Sequence, residues 1–301
     1  MKIYFNRRPV DGPWGGGSKV LRAIVEESIA RGHFVCFEEE LYDHHDIDVV
    51  VCVDPRPARV TCLDLINYVS FRNTKLIQRV GDIGTHGKPD LFRMARELTK
   101  FSHVVVFPSQ WAKTNLKLHK DNSVVIPNAP SPKFREAKKT SFGRPTKIVS
   151  HHWSDNKMKG FDVYRKLDKW CTSRNDFKFT FVGRKPSGVE FNNYVEPQDV
   201  DGLTRVLPEH DVYLTASRQE AGANHVLEAA ALGLPILYNS DGGSINEYCR
   251  DFGLSYDTFD DLTSLLTTKL DDIENIARTM SYTRTSGDMA REYVDLFEET
   301  V

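Results

Sequence analysis

The clearest candidates for chemistry are two glutamates, Glu220 and Glu228, in the second half of the chain. A strand-like run at residues 212–216 precedes a helical pattern at 225–232, so Glu220 falls in the connecting loop and Glu228 in the first turns of the helix. Ligands of open parallel sheets bind outside the carboxyl ends of the strands, where both carboxylates could meet sugar hydroxyls. The alternative is that Glu228 only complements the helix dipole and Glu220 is solvated.

Two glycine-rich segments offer backbone amides to a ligand. Gly16 and Gly17 follow the first strand and precede a helix, and Gly242 and Gly243 precede another helix. Glycine permits a close approach of the backbone, and helix N-termini attract phosphate groups. The first segment does not have the GxGxxG pattern and no Walker lysine follows it, so dinucleotide binding loses support. Each segment is also compatible with a plain loop.

The elements that must position these residues follow from the alternation of short β-rich runs with amphipathic stretches. This order is typical of parallel sheets covered by helices, so the predicted fold class is α/β. In the first half, strands are predicted at residues 2–5, 34–37, 49–53, 76–80, 104–107 and 124–126, and helices at 18–31, 58–69, 89–101 and 110–118. In the second half, strands are predicted at 147–150, 178–182, 212–216 and 236–238, and helices at 161–172, 200–207 and 225–232.

The two halves are separated by a polar, basic stretch at residues 131–146, which is interpreted as an interdomain linker. Two similarly built halves predict two facing doubly wound domains with a cleft between them. Near the C-terminus, Met289, Tyr293 and Phe297 stand at helical spacing and predict a final helix.

Composition excludes several classes of protein. With 301 residues, 27% charged and 40% hydrophobic, the chain is neither collagen-like nor disordered. Five cysteines without a CxxC pair indicate reduced thiols of a cytosolic protein. We also expect neither a secretory signal nor a membrane span, because no apolar run approaches the roughly 18 residues that a span needs.

Charge is distributed unevenly between the halves. Residues 1–146 hold 23 Lys and Arg against 16 Asp and Glu, a net charge of +7, and the remainder holds 17 against 26, a net charge of −9. The basic half is suited to an anionic acceptor or a membrane surface, although a merely solvated surface explains it equally well. A nucleic-acid partner is not predicted.

Several short motifs occur in an order that resembles the retaining glycosyltransferases of family 4. They are Trp14-Gly15-Gly16-Gly17, Arg31-Gly32-His33-Phe34-Val35, Val125-Ile126-Pro127-Asn128-Ala129, Lys159-Gly160-Phe161, Phe181-Val182-Gly183-Arg184, Glu220 with Glu228, and Gly242-Gly243. The resemblance covers most of the chain and implies a GT-B architecture of two Rossmann-like domains facing a central cleft. Residues 1–140 would form the acceptor-side domain, residues 141–275 would bind the nucleotide sugar, and a helix at 276–301 would pack back across both.

The resemblance also implies roles for individual residues. Glu220 would contact the transferred sugar, Glu228 the nucleotide ribose and Lys159 the diphosphate. Asp82 and His86, in a loop after a first-domain strand, would orient donor or acceptor hydroxyls. Further donor contacts would come from Gly16, Gly17, His152, Lys157, Arg184, Gly222, Ala223, Asn224 and Gly243.

This sequence departs from the family pattern at two places. No arginine stands shortly before Lys159, so Lys157 or Arg184 would have to supply the second phosphate-binding cation. The family's Gly-Phe-Gly after the first glutamate is replaced by residues 221–223, Ala-Gly-Ala, so the identity of the donor sugar cannot be transferred.

The implied activity is retaining, metal-independent transfer of a hexose-type sugar from a nucleoside-diphosphate sugar to a saccharide or lipid-linked saccharide, without a further cofactor or an enzymic nucleophile. The DxD-like Asp46-Ile47-Asp48 is interpreted as the polar entry to a strand, and the adjacent His151 and His152 are not expected to share a metal because neighbours on a strand point oppositely. The alternatives are a nucleotide-sugar epimerase and a catalytically silent module that binds a nucleotide sugar.

The expected location is the cytoplasm, with peripheral contact to the cytoplasmic membrane face as a further hypothesis. Residues 91–101 form an amphipathic helical pattern with a basic face, which is suited to membrane docking. Packing of its apolar face on the sheet explains the same pattern.

Overall fold

The computed structural model describes residues 1–12, 15–118, 122–139 and 141–301, which form two compact units. Unit 1 contains Met1–Val10, Gly17–Asn128 and Ser286–Val301, and unit 2 contains Asp11–Gly16 and Ala129–Thr285. Each unit is built around a six-stranded parallel β-sheet. The predicted α/β class is therefore confirmed.

The sheet of unit 1 consists of β1 (Lys2–Phe5), β2 (Phe34–Phe37), β3 (Val49–Cys52), β4 (Lys75–Arg79), β5 (Val104–Phe107) and β6 (Ser123–Val125). The strand order is β2-β1-β3-β4-β5-β6. Ile3 of β1 pairs with Val35 on one side and with Val49 on the other. The chain thus passes from β1 to β2 on one side and then crosses to β3 on the other side of β1. The carboxyl ends of β1 and β3 therefore form the topological switch point of the first sheet.

In the described part of unit 1, the helices before the C-terminal region are α1 (Gly16–Ala30, whose first residue groups with unit 2), α2 (Cys62–Ser70), α3 (Pro89–Thr99) and α4 (Gln110–Leu116). A short 3-10 helix spans Glu38–Tyr42. α2 begins with a capping box, in which Asp64 N donates to Thr61 Oγ1 at 3.3 Å and Thr61 N donates to Asp64 Oδ2 at 2.8 Å. β3 is buried along its whole length, as expected for a strand covered on both faces.

The apolar face of α3 is turned into unit 1. Leu91, Ala95 and Leu98 are buried, whereas the side chain of Arg93 is 76% exposed. Packing of this face inside the unit accounts for the amphipathic pattern. No helix in the described part of the chain combines the length and apolar character that a bilayer span requires.

The sheet of unit 2 consists of β7 (Thr146–His152), β8 (Phe177–Gly183), β9 (Tyr194–Val195), β10 (Val212–Thr215), β11 (Ile236–Asn239) and β12 (Gly253–Tyr256). The strand order is β12-β11-β10-β7-β8-β9. β7 is followed by β8 on one side, and the chain later crosses to β10 on the other, where Val149 pairs with Tyr213. The carboxyl ends of β7 and β10 therefore form the topological switch point of the second sheet.

Unit 2 contains the helices α5 (Lys133–Glu136), α6 (Phe161–Thr172), α7 (Val200–Val206), α8 (Asn224–Ala231), α9 (Ser244–Tyr248), α10 (Phe259–Thr268) and α11 (Leu270–Thr279). Short 3-10 helices span Lys157–Lys159 and Leu207–Glu209. The sheet is packed with aromatic residues: Tyr164 of α6 stacks on Phe179 of β8 with ring centroids 6.1 Å apart. These contacts hold α6 against the sheet.

The interpretation of residues 131–146 as a polar linker is wrong for part of that stretch. Phe134 in α5 is fully buried in the core of unit 2, and α5 packs on α7 and α8. The contacts divide the chain between Asn128 and Ala129, whereas sequence analysis placed the boundary at residue 140, which itself lies outside the described residues. A single buried aromatic residue in a basic stretch produces no periodic signal, which explains the difference.

The C-terminal region is divided between the units. α11 belongs to unit 2, and α12 (Ser286–Thr300) belongs to unit 1. Met289, Tyr293 and Phe297 are fully buried on α12, which confirms a helix at their spacing. The predicted span of 276–301 is too long, because residues 276–279 belong to α11 and α12 begins at Ser286. The ring of Phe297 lies 6.3 Å from that of Phe5, so this helix packs beside β1.

Candidate active site

The candidate active site lies at the switch point of the second sheet, where β7 and β10 end side by side. After β7 comes the 3-10 helix Lys157–Lys159, which begins where Met158 N donates to Asn156 Oδ1 at 2.8 Å. After β10 the chain leads to Glu220. Arg218 N donates to Met158 O at 2.9 Å and joins the two segments. Ligands of open α/β sheets bind at such a position.

Lys159 and Glu220 form an ion pair between Nζ and Oε1 at this point, with side chains only 13% and 12% exposed. Gly160 follows the lysine with φ +77°, and a Cβ there would lie 2.4 Å from Ala216 O. Only glycine fits this left-handed, closely approached position. The fold thus brings together two of the residues that were predicted as catalytic.

The backbone around Glu220 is held by the glycine pair. Glu220 N donates to Gly242 O at 3.1 Å, and Ser244 N donates to Glu220 O at 2.8 Å. Gly243 has φ +70°, and a Cβ there would lie 2.6 Å from Glu220 O. Gly243 therefore positions Glu220, and its predicted contact with a donor stays a prediction.

Glu228 lies on α8 and its carboxylate is buried against β7. Oε2 is 2.8 Å from Nε2 of His151, and the two side chains are 3% and 9% exposed. Tyr213 Oη lies 3.1 Å from Nδ1 of the same imidazole. The family resemblance implies a ribose contact for Glu228, and His151, its partner here, is not among the predicted site residues, although a histidine that ends a buried strand is a signal for it.

A second histidine pair lies beside it. His152 Nε2 is 2.6 Å from Tyr164 Oη, and the ring of His152 lies 4.9 Å from that of His225. His225 Nε2 is 3.0 Å from Thr215 Oγ1. Burial, and then the positive charge of Lys159, lowers the pKa of His225 to about 3. His225 is therefore a neutral hydrogen-bonding group near neutral pH.

Two sequence patterns that resemble metal-binding motifs, His151-His152 and Asp46-Ile47-Asp48, make other contacts in the structure. His151 and His152 contact different partners, as described above. Asp46 pairs with Lys2 Nζ at 2.5 Å, and Asp48 Oδ2 accepts from Lys2 N at 2.7 Å, at the amino edge of the first sheet. In the part of the chain that the structure describes, no three His, Cys, Asp or Glu side chains are grouped as a metal site would need.

Two cations were proposed to replace the family's arginine. Arg184 follows β8, and its guanidinium lies 4.0 Å from the ring centroid of Trp153. Arg184 N donates to His152 O at 3.0 Å, which ties the segment to the end of β7. Lys157 is exposed in the 3-10 helix that ends at Lys159. Both belong to segments at the carboxyl edge of the second sheet.

The predicted donor contacts Gly222, Ala223 and Asn224 lie where α8 begins. Ala223 N donates to Ser244 Oγ at 3.2 Å. Asn224 Nδ2 donates at 3.1 Å to the carbonyl of Gly16, which groups with unit 2 in the segment Asp11–Gly16. Pro13 and Trp14 of the same glycine-rich motif lie outside the described residues.

The remaining predicted residues belong to unit 1. Asp82 Oδ1 accepts from Gly84 N at 2.8 Å, and Oδ2 pairs with Lys88 Nζ at 2.8 Å, so its carboxylate orders its own loop. His86 is half-buried in this loop, and Gly17 lies in the first turn of α1. Their roles toward donor or acceptor stay predictions.

A scan with protein-family models finds no match, and a search of curated proteins finds no matching sequence. Solved structures match almost the whole chain. WaaG, a glycosyltransferase involved in lipopolysaccharide biosynthesis, has a TM-score of 0.71 and 15% identity over 99% of both chains. HepE from Anabaena, solved with UDP-glucose, has a TM-score of 0.70 and 15% identity over 100% of this chain and 98% of its own.

Sucrose-phosphate synthase from Thermosynechococcus elongatus has a TM-score of 0.71 and 13% identity over 100% of this chain and 96% of its own. The chain has the GT-B fold. At these identities the likeness establishes the fold, and the GT-B expectation from the sequence motifs is confirmed.

Proposed function

We propose that this chain is a retaining, metal-independent glycosyltransferase that moves a hexose-type sugar from a nucleoside-diphosphate sugar to a saccharide or lipid-linked saccharide. The observation that carries the proposal is the Lys159–Glu220 ion pair at the switch point of the second sheet. In support, HepE, a solved neighbour with the same fold, is described with UDP-glucose. Fold likeness alone leaves the activity open, so the proposal depends on the residues of this site.

A diphosphate fits the charges of this site. Its oxygens would compete with Glu220 for the ammonium of Lys159, and Arg184, positioned by Trp153, is available as a second cation. Once released, the Glu220 carboxylate would accept hydrogen bonds from sugar hydroxyls. The same ion pair therefore keeps both groups oriented for two different parts of one donor.

Catalysis would come from stabilising the leaving group. The bond between the anomeric carbon and the diphosphate oxygen breaks, and a bond from the acceptor oxygen forms on the same face of the sugar. The acceptor proton passes to the leaving phosphate, so no enzymic nucleophile, cofactor or metal is required in this scheme. Lys159 and Arg184 would stabilise the negative charge that develops on the nucleoside diphosphate, which is the largest electrostatic demand of the step.

We place the reaction in the cytoplasm, at the membrane face if the acceptor is lipid-linked. All five cysteines are free, which suits a reducing compartment. The exposed side of α3 carries Arg93, and Phe101 beyond its end is 48% exposed, a combination suited to an anionic lipid surface. Stronger co-sedimentation with anionic than with zwitterionic vesicles would support this contact, and equal recovery would exclude it.

The enzyme is tested by measuring donor hydrolysis and transfer with a panel of UDP- and GDP-sugars. Lys159→Ala and Glu220→Ala should each abolish turnover while the thermal unfolding transition stays cooperative. Lys169→Ala, which removes an exposed lysine of α6, is the matched control and should keep the wild-type rate. Unchanged rates in the two site variants would remove the catalytic assignment.

The alternatives give different outcomes in the same experiment. A nucleotide-sugar epimerase would change the sugar without any acceptor, which analysis of the products reveals. A silent binding module would be stabilised by UDP, GDP or ADP in a thermal-shift screen but would transfer nothing. The nucleotide that raises the melting temperature most would also identify the base.

A further inference from the structure

A cavity of about 750 Å³ opens at the switch point of the first sheet. Its walls are the segments that follow β1, β2 and β3, including Asn6, Arg7, Glu38 and Asp54. The volume suits a small ligand, and the position is the one where open α/β sheets bind theirs. All lining residues belong to unit 1, so this cavity is defined independently of the site in unit 2.

Arg7 differs from the other arginines that line the cavity. Arg56 binds Asp54 through two nitrogens, with Nε 3.0 Å from Oδ1 and Nη2 2.5 Å from Oδ2. Arg59 pairs with Glu39 at 2.5 Å. Within the described ranges, Arg7 has no carboxylate partner. Its guanidinium donates to the carbonyls of Asn6, at 3.3 Å, and Arg56, at 2.5 Å, and its charge reaches the Asp54 carboxylate, which Arg56 binds, only through space.

Hydrogen bonds within unit 1 hold the walls of the cavity in place. Asn6 donates from Nδ2 to Asp54 O at 2.7 Å and accepts from Val53 N at 2.8 Å, which fixes the loop after β3 to the end of β1. Glu38 has φ +50°, a left-handed conformation that is costly for a residue with a side chain. Strained residues of this kind concentrate at binding sites, because the surrounding structure must hold them.

The charges define the ligand. Of the charged side chains that line the cavity, Arg56 pairs with Asp54 and Arg59 pairs with Glu39 outside it, so that in the described ranges Arg7 and Glu38 are the two without an ion pair. We propose that this cavity binds the acceptor saccharide through one anionic group, a carboxylate or a phosphate, that pairs with Arg7, while Glu38 accepts hydrogen bonds from sugar hydroxyls. The forked guanidinium matches both anions. This inference rests on the proposed transferase function and assigns its acceptor to the acidic saccharides.

The test measures binding of matched probes to the full-length protein by isothermal titration. Methyl glucuronide and glucose 6-phosphate carry the anion, and methyl glucoside is their neutral counterpart. We expect at least one anionic probe to bind about tenfold more tightly than the glucoside, as a charge-assisted hydrogen bond allows. Comparison of the two anionic probes distinguishes a carboxylate-bearing from a phosphate-bearing acceptor.

Arg7→Gln should remove the preference for the anionic probe. Arg8→Gln is the matched control, since Arg8 pairs with Glu40 and does not line the cavity. Arg7→Lys keeps the positive charge but lacks the forked guanidinium, so it should retain part of the preference for the anionic probe. This variant tests the inference even if Arg7→Gln fails to fold. Equal affinities, no binding of any probe, or a preference that survives Arg7→Gln would overturn the inference.

Nucleotide binding in the same samples separates the two proposals. If UDP, GDP and ADP all fail to raise the melting temperature of the wild-type protein, the donor site and thus the proposed function are wrong. If a nucleotide binds but the anionic probes show no advantage, only the acidic acceptor is wrong.

Discussion

Glu228 Oε2 lies 2.8 Å from Nε2 of His151, in surroundings that leave 3% and 9% of the two side chains exposed. The other imidazole nitrogen is 3.1 Å from Tyr213 Oη, so a chain of three polar side chains crosses from β10 through β7 to α8. A buried carboxylate without a donor is costly. His151 therefore helps to hold the Glu228 carboxylate, and a ribose contact by Glu228 would be made from this held position.

His151→Phe should destabilise the protein and weaken nucleotide binding together. Removing the donor leaves the Glu228 carboxylate buried and unsatisfied on that side, at a cost of about 1–3 kcal/mol in the free energy of unfolding. Urea denaturation and nucleotide titration measure the two effects. His151→Gln keeps a donor group at this position and should recover most of both, whereas equal losses in the two variants would show that ring packing matters instead.

Gly160→Ala should unfold more easily than Gly188→Ala, although both positions have nearly the same left-handed φ, +77° and +75°. At Gly160 the new Cβ would meet Ala216 O at 2.4 Å, while at Gly188 it would meet nothing within 4 Å. The free energy of unfolding of Gly188→Ala should therefore fall only by the cost of the left-handed backbone, about 1 kcal/mol. Gly160→Ala should be destabilised by more than this, and it should also lose turnover because the new side chain displaces Lys159. Urea denaturation compares them, and equal stabilities would refute the steric argument.

Several central strands could be predicted from sequence because they are continuous apolar runs, such as Val49–Cys52. The edge strands β9 and β12 were missed. β12 (Gly253–Tyr256) begins with glycine and has one buried residue, so it lacks the apolar signal that identifies a central strand. α5 was missed because only Phe134 marks it as buried.

The site could be predicted in part. The order of motifs identified Lys159 and Glu220 as members of one site, and the fold brings them into contact. A histidine at the end of a buried strand was a signal for His151 itself, but its pairing with Glu228 could not be predicted, since the contact depends on how α8 packs on the sheet. The cavity around Arg7 was missed for a related reason: its walls come from three loops, and a lone arginine after a strand resembles any solvated residue.

Cys62 should be the most reactive thiol of the folded protein. It is half-buried, whereas the other four cysteines are buried, and its neighbour Cys52 lowers its pKa. Burial instead raises the pKa of Cys36 to about 11 and that of Cys171 to about 12, which keeps them protonated. Titration of the native protein with a disulfide reagent should show one rapid equivalent that disappears in Cys62→Ser and persists in Cys171→Ser. Persistence of the rapid phase in Cys62→Ser would assign it to another cysteine.

Stability should fall as the pH is lowered below neutrality, partly because of His225. Its pKa drops from 6.5 to about 3 on folding, so between these values the unfolded chain binds a proton that the folded protein excludes. The contribution is complete above pH 6.5 and is lost progressively toward pH 3. From pH 7 to pH 5 the loss from this group is about 2 kcal/mol.

The charge of Lys159 lowers the pKa of His225, and the charge of Glu220 raises it. The buried His210 also has a lowered pKa. The pH dependence of wild-type stability therefore does not isolate the contribution of His225. His225→Gln retains a hydrogen-bonding group beside Thr215 but cannot titrate. Urea denaturation of both proteins at pH 7 and pH 5 gives the difference, and the variant should lose about 2 kcal/mol less than the wild type. Parallel losses in the two proteins would mean that His225 is charged in the fold.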